Sequence, residues 1–281
     1  MKKHKLLITN DDGISSPGLC ALIDEFSDKE HYDLKIIAPK YENSWRGKSV
    51  SSHIKVKHQI ISKDDLILHA LEGTPADCVL IGCFHVCEEL PDLVISGINF
   101  GANIGNSFIL SSATVGAAME ASFLGIKSIA VSLLLNPLKK DIKIMKDKKA
   151  DLHINKNLKK EDFNVAAKIT KKIADFVLEN PNLPPKTDLI NINVPSEATL
   201  DSEIHITSVS RAHYGNVFKK IDDEKEDYYI FNRFARGGKY QFIKGTDIHS
   251  TFIKNSISIT PIMLDLSGDV EKLAEYFKKI L

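Results

Sequence analysis

The chain has no net charge of either sign: 37 Lys+Arg stand against 37 Asp+Glu in 281 residues. A protein that coats nucleic acid or an acidic membrane needs a broad basic surface, so that class is excluded, and no nucleic-acid duplex is expected as a partner. Nor does any apolar run approach the roughly 20 residues of a membrane span. Cysteine is sparse, with four in all. Three of them, Cys78, Cys83 and Cys87, lie four or five residues apart in an apolar stretch, and the C-x₂-C pairing of a zinc site is missing. They read as core thiols in a reducing, cytoplasmic compartment. Residues 1–7 are basic but carry too short an apolar stretch for a secretory signal, and Asp11 and Asp12 follow at once.

Several motifs are absent as well. There is no G-x-x-x-x-G-K-[ST] loop, no G-x-G-x-x-G after the first strand, and no G-x-S-x-G elbow. Position 13 is Gly where a D-x-D phosphatase motif would need Asp.

What is present is a strand–helix rhythm. Residues 5–9 (KLLIT), 34–38 (LKIIA), 93–96 (LVIS), 128–133 (SIAVSL) and 189–194 (LININV) are short apolar runs stopped by turn residues. Runs without polar alternation belong to strands buried on both faces, hence to a parallel sheet. Between them, Ser16 and Pro17 open a helix as N-cap and first turn, and residues 77–86, 114–124 and 162–179 keep helical spacing. The expected fold is therefore α/β: a doubly wound, mostly parallel Rossmann-like sheet over residues 1–200. A Lys-rich stretch at 138–160 reads as a surface insertion. Residues 201–281 read as a contiguous β-rich extension of hairpins, rather than more of the same sheet, closed by an amphipathic helix at 269–281. A hairpin arm reaching a second subunit, in a homodimer or homotetramer, is the expectation for that part.

In a doubly wound sheet, ligands bind beyond the carboxyl ends of the strands. Asp11 and Asp12 end the first strand, Ser44 follows the second, and Gly97, Ile98 and Asn99 follow the third. Two adjacent carboxylates repel each other, and holding both ionised favours a cation beside them. With a hydroxyl and an amide they make an all-oxygen set, suited to Mg²⁺, Mn²⁺ or Ca²⁺. Taken alone, Asp-Asp-Gly also reads as a plain turn. Ser112, Ala113 and Thr114 open a helix whose N–H groups and hydroxyls suit an anion, or serve as ordinary caps. Glu72-Gly73-Thr74-Pro75-Ala76-Asp77 reads as a loop with capping residues. His213 and His249 have no partner signature.

Together these segments resemble the SurE family (survival protein E) of metal-dependent nucleotidases. The resemblance is carried in order by Asn10-Asp11-Asp12-Gly13 with Ser16-Pro17-Gly18, and by Ala38-Pro39 with Ser44. Glu72 to Val79, Ser96-Gly97-Ile98-Asn99 and Thr114 to Glu120 continue it. Asn193-Val194-Pro195, Gly245-Thr246-Asp247 and Ser258-Ile259-Thr260-Pro261 complete it. It implies hydrolysis of nucleoside 5′- or 3′-monophosphates, with one divalent ion held by Asp11, Asp12, Ser44 and Asn99. It also implies phosphate contacts from Asn99 and from a turn that reads Ser112-Ala113-Thr114 where the family has Ser-Gly-Thr. Asp11 and Asp12 are the catalytic candidates, and whether one acts as base or nucleophile stays open. Lys40 stands where the family often has Asp, which would add a positive charge near the substrate. Two other readings remain: a nucleotide-binding stress-response module without turnover, and an assembly protein whose arm is its purpose.

Overall fold

The computed structural model describes residues 3–63, 65–134, 158–222, 227–231, 239–278 and 280. Nine of its strands form one sheet in the order β3-β4-β2-β1-β5-β6-β7-β13-β8. Its centre is parallel: β1 (His4–Thr9), β2 (Tyr32–Pro39), β4 (Leu66–Leu71), β5 (Leu93–Phe100), β6 (Lys127–Leu134) and β7 (Leu189–Pro195) all run the same way. Each of the five apolar runs read from the sequence is one of these strands. β3 (His58–Lys63) adds antiparallel to β4 at one edge. At the other edge β13 (Ile257–Ile262) pairs antiparallel with β7, and β8 (Ile204–Ile206) pairs parallel with β13.

The last point corrects an expectation. Within the contiguous extension expected at 201–281, residues 204–206 and 257–262 are more of the main sheet. Beyond that sheet, among the described residues, lie two short ribbons, β10 (Phe218–Asp222) with β11 (Asp227–Phe231), and β9 (Ala212–His213) with β12 (Lys239–Tyr240). Almost all of the Lys-rich stretch 138–160 lies outside the described residues.

Helices cover both faces. On one, α1 (Pro17–Glu25) packs Leu19, Leu22 and the adjoining Phe26 against Leu6, Ile8 and Ile95 of the sheet. α5 (Asn164–Glu179) joins it with Ile169 and Val177. On the other face, α2 (Pro75–Ile81), which runs on as a π-turn through Gly82–Val86, buries Cys78 and Val79 against Leu7 and Ile37. α4 (Ala113–Phe123) adds Ala117 and Ala121 there, and a short α3 (Asn106–Ser111) precedes it. Each fully buried Leu or Ile contributes about 1.5–3 kcal/mol relative to exposure. The cysteines are free thiols, with Cys78 and Cys83 buried in this second cluster. Burial pushes the Cys83 thiol up to about 12 and Cys78 well above its ordinary value.

The caps follow the sequence. Ser16 Oγ accepts from the Leu19 N–H, and Thr74 with Asp77 closes a reciprocal capping box on α2. A terminal helix, α6 (Val270–Phe277), has no buried residue.

β1 is the switch point. From it the chain winds outward through β2 to one side, then returns to build β5, β6 and β7 on the other. The connections therefore part beyond the carboxyl ends of β1 and β5, opening a crevice there.

Candidate active site

The acidic pair sits at that crevice. Asp11 is 3% exposed, and its Oδ1 accepts a 2.7 Å hydrogen bond from the Thr114 hydroxyl. Burial raises the Asp11 carboxyl to about 6; hydrogen bonds from Thr114 pull the other way, and the charge of Glu42 adds to the rise. No ion pair to a lysine or arginine relieves Asp11 among the described residues. Asp12 is oriented by the Phe100 N–H, which donates to its Oδ2 at 3.1 Å. That bond spans β1 to the end of β5, so the central strands themselves aim the second carboxylate.

Asn99 is buried on the same rim, and its Nδ2 donates to Gly101 O at 3.0 Å. With the amide nitrogen committed, the amide oxygen remains as the ligating atom. The loop after β2 is tied in by the Asn43 N–H, which donates to Asp11 O at 2.7 Å. Ser44 follows directly, and its hydroxyl donates to Glu42 Oε1 at 2.7 Å. The structure thus brings Asp11, Asp12 and Asn99 to one rim, with Ser44 on a loop anchored to it. Glu42, which nothing in its sequence context singles out, joins through Ser44 and through its effect on Asp11.

These donors fit a hard divalent cation. Among the described residues no group of three His, Cys, Asp or Glu side chains gathers to hold a metal. The candidate set is two carboxylates completed by hydroxyl and amide oxygens, around a buried carboxylate with no positive partner among the described residues.

The opposite wall is the start of α4. Ser112 is its N-cap, with Oγ accepting from the Val115 N–H at 3.1 Å, which leaves the hydroxyl proton to donate outward. Ala113 is the first helical residue, and Thr114 spends its proton on Asp11. The 41–49 loop lies close against this helix. The Gly47 N–H donates to Ser111 O at 2.9 Å, and a Cβ on Gly116 would fall 2.5 Å from Gly47 O. Only glycine at 116 permits that approach. Lys48 and Glu120 form an ion pair at 2.5 Å across the same seam.

Two positioning groups come from far along the chain. The Asn103 N–H donates to Asn193 Oδ1 at 3.0 Å, while Asn191 and Asn193 both donate to Asn103 O. Asp247 accepts from the N–H groups of Gly105, Ser210 and Ile248 at 2.7, 2.9 and 2.8 Å. The segment 101–105, between the rim and α3, is thus pinned from two directions. Asn193 and Asp247 fall in motifs that the sequence reading marked but gave no role.

Other candidates resolve differently. Lys40 pairs with Glu72 at 3.0 Å. Thr74 and Asp77 cap α2 and anchor the preceding loop through Ser49 O and the Ser51 N–H, a structural duty. His213 is exposed on β9, stacked on Tyr214.

Comparison with known proteins places the chain among similar sequences and folds. The family described as Survival protein SurE matches residues 6–216. A protein named 5′-nucleotidase SurE from Methanocaldococcus jannaschii is 36% identical, with 99% of this chain and 98% of that one covered. Another of that name, from Methanosarcina acetivorans, is 36% identical over 95% of this chain and 94% of its own. Among solved structures, the crystal structure of SurE protein from Aquifex aeolicus superimposes with a TM-score of 0.69 at 29% identity, covering 98% of this chain and 99% of that one.

Proposed function

Since this chain belongs to the SurE family, we propose that it is a metal-dependent phosphomonoesterase that hydrolyses nucleoside 5′-monophosphates to nucleoside and phosphate. The observation that carries this reading is the 2.7 Å contact between Thr114 and Asp11, which joins a cation-seeking carboxylate to the N-terminus of an eleven-residue helix. Cation site and anion site share one hydrogen bond.

Asp11, Asp12, Ser44 and Asn99 would hold one divalent ion, Mg²⁺, Mn²⁺ or Ca²⁺. Such an ion supplies Lewis-acid polarisation of a phosphoryl oxygen and lowers the pKa of water. The remaining work falls to the chain. Thr114 and Phe100 fix the rotamers of the two aspartates, and Gly101 O turns the Asn99 amide. The first turn of α4 and the Ser112 hydroxyl face charge that develops on the transferring phosphoryl group.

The proposed compartment is the cytoplasm, supported by four free cysteines; no helix among the described residues is long and apolar enough to cross a membrane. The proposed assembly is a homodimer or homotetramer. It is supported by α6, where Val270, Leu273, Tyr276 and the following Ile280 are exposed at 71, 58, 80 and 77%.

The test is phosphate release from AMP with each divalent ion in turn. EDTA should abolish it and Mn²⁺ or Mg²⁺ restore it. Asp12→Asn should lower the rate at least about 100-fold. Near-normal turnover in that variant would overturn the assignment.

A further inference from the structure

We propose that Trp45, with the aromatic side chains gathered around it, is the platform on which the nucleobase of the substrate stacks. This rests on the nucleotidase reading above and adds to it the part of the substrate that selects nucleotides over other phosphate esters.

Trp45 is the one tryptophan of the chain and directly follows Ser44. Its loop is fastened on both sides of the crevice: Asn43 to the backbone of Asp11, and Gly47 to the backbone of Ser111. The Trp45 backbone stands two residues from each anchor, a chain span of about 7 Å. That places it between the acidic rim and the lead-in to α4, at roughly the remove a ribose would bridge. Its backbone is held at φ 63°, the left-handed region that bulky side chains rarely occupy.

Three rings from three other elements converge on the indole. Phe108 of α3 lies 6.1 Å away at 56°, Tyr214 after β9 at 5.2 Å and 80°, and Phe231 of β11 at 4.9 Å and 63°. All three are tilted or edge-on, so no ring stacks parallel on the indole among the described residues. Trp45 stays 36% exposed and Phe231 41%. A cluster that served only to fasten the β10–β11 ribbon would gain most by burying these rings fully. Here an open aromatic surface borders the phosphate site instead. Stacking on such a surface tolerates any base, because every base has a π-face, and it favours the larger purine.

The single tryptophan makes the test direct. Intrinsic fluorescence should be quenched saturably by adenosine, which carries no phosphate, and not by ribose 5-phosphate. In steady-state kinetics with Mn²⁺, Trp45→Ala should lower the preference in kcat/KM for AMP over ribose 5-phosphate about 5- to 100-fold. Trp45→Phe should restore most of that preference, which a merely disturbed loop would not allow. An unchanged preference in Trp45→Ala, with no quenching by millimolar adenosine, overturns the platform while leaving the nucleotidase reading standing. If the wild-type protein releases no phosphate from either ester with any divalent ion, the nucleotidase reading fails. Adenosine quenching then decides the platform alone: saturation supports it, and its absence overturns it.

Discussion

Thr114 donates its hydroxyl proton to Asp11 across 103 residues of sequence, and this one bond locks the end of the first strand to the start of a helix. A hydrogen bond to a charged group in such a place is worth about 1.5–3 kcal/mol. Thr114→Val keeps the shape and removes the donor. Its kcat/KM for AMP should fall at least tenfold, with far-UV circular dichroism unchanged. Activity within twofold of wild type would show that the bond does not orient the carboxylate.

Asp11→Asn keeps an acceptor for Thr114 and removes the buried charge. Burial holds the Asp11 carboxyl at about 6, above its unfolded value of 3.8. A raised carboxyl pKa means that the folded state binds the proton more tightly, so this contribution to stability is present at low pH and lost as pH rises through about 6. Metal-free Asp11→Asn should therefore melt a few degrees above metal-free wild type at pH 7.5, at about 2–4 °C per kcal/mol for a chain of this size. The gap should close toward pH 4. Scanning calorimetry at the two pH values checks the sign.

Asp247 accepts three backbone N–H bonds around segment 101–105. Asp247→Asn turns an NH₂ group toward at least one of those donors. Urea unfolding should show a loss of about 2–4 kcal/mol. AMP turnover should fall as well, although Asp247 is not one of the proposed ligands. A variant of unchanged stability would remove the pinning role.

The buried thiols give a fourth expectation. With Cys83 pushed up to about 12 and Cys78 well above its usual range, neither forms thiolate near pH 8. Peptide mapping after brief iodoacetamide treatment should find both unmodified in native protein and both labelled in urea. Rapid native labelling of Cys78 would contradict its place on the buried face of α2.

Much of this was legible in the sequence, for physical reasons that differ by element. β1, β5 and β7 lie in the middle of the sheet with most residues buried, so each carries a short apolar run bounded by turn residues. β3 escaped notice because it is an edge strand, exposed along almost its whole length, with Ser62 and Lys63 in place of an apolar face. The apolar pattern of residues 257–262 marked β13 as a strand, but periodicity says nothing about which sheet a strand joins. Asp11 and Asp12 stood out because adjacent carboxylates after a buried strand need an explanation. Glu42 did not, because only folding carries it to the Asp11 side; in sequence it is one exposed charge among 37 acids.

Every residue proposed to hold the cation or the phosphate lies between positions 11 and 114. Yet Gly105 is fixed by Asp247, 142 residues further on, and Asn103 by Asn193, 90 residues on. During synthesis, then, all the proposed ligands leave the ribosome long before the groups that hold their neighbouring segment in place. A nascent chain halted near residue 134 carries the whole reactive set without its brace. Full activity should appear only as the last strand and Asp247 emerge, so the length of finished chain acts as a timer on when this site begins to work.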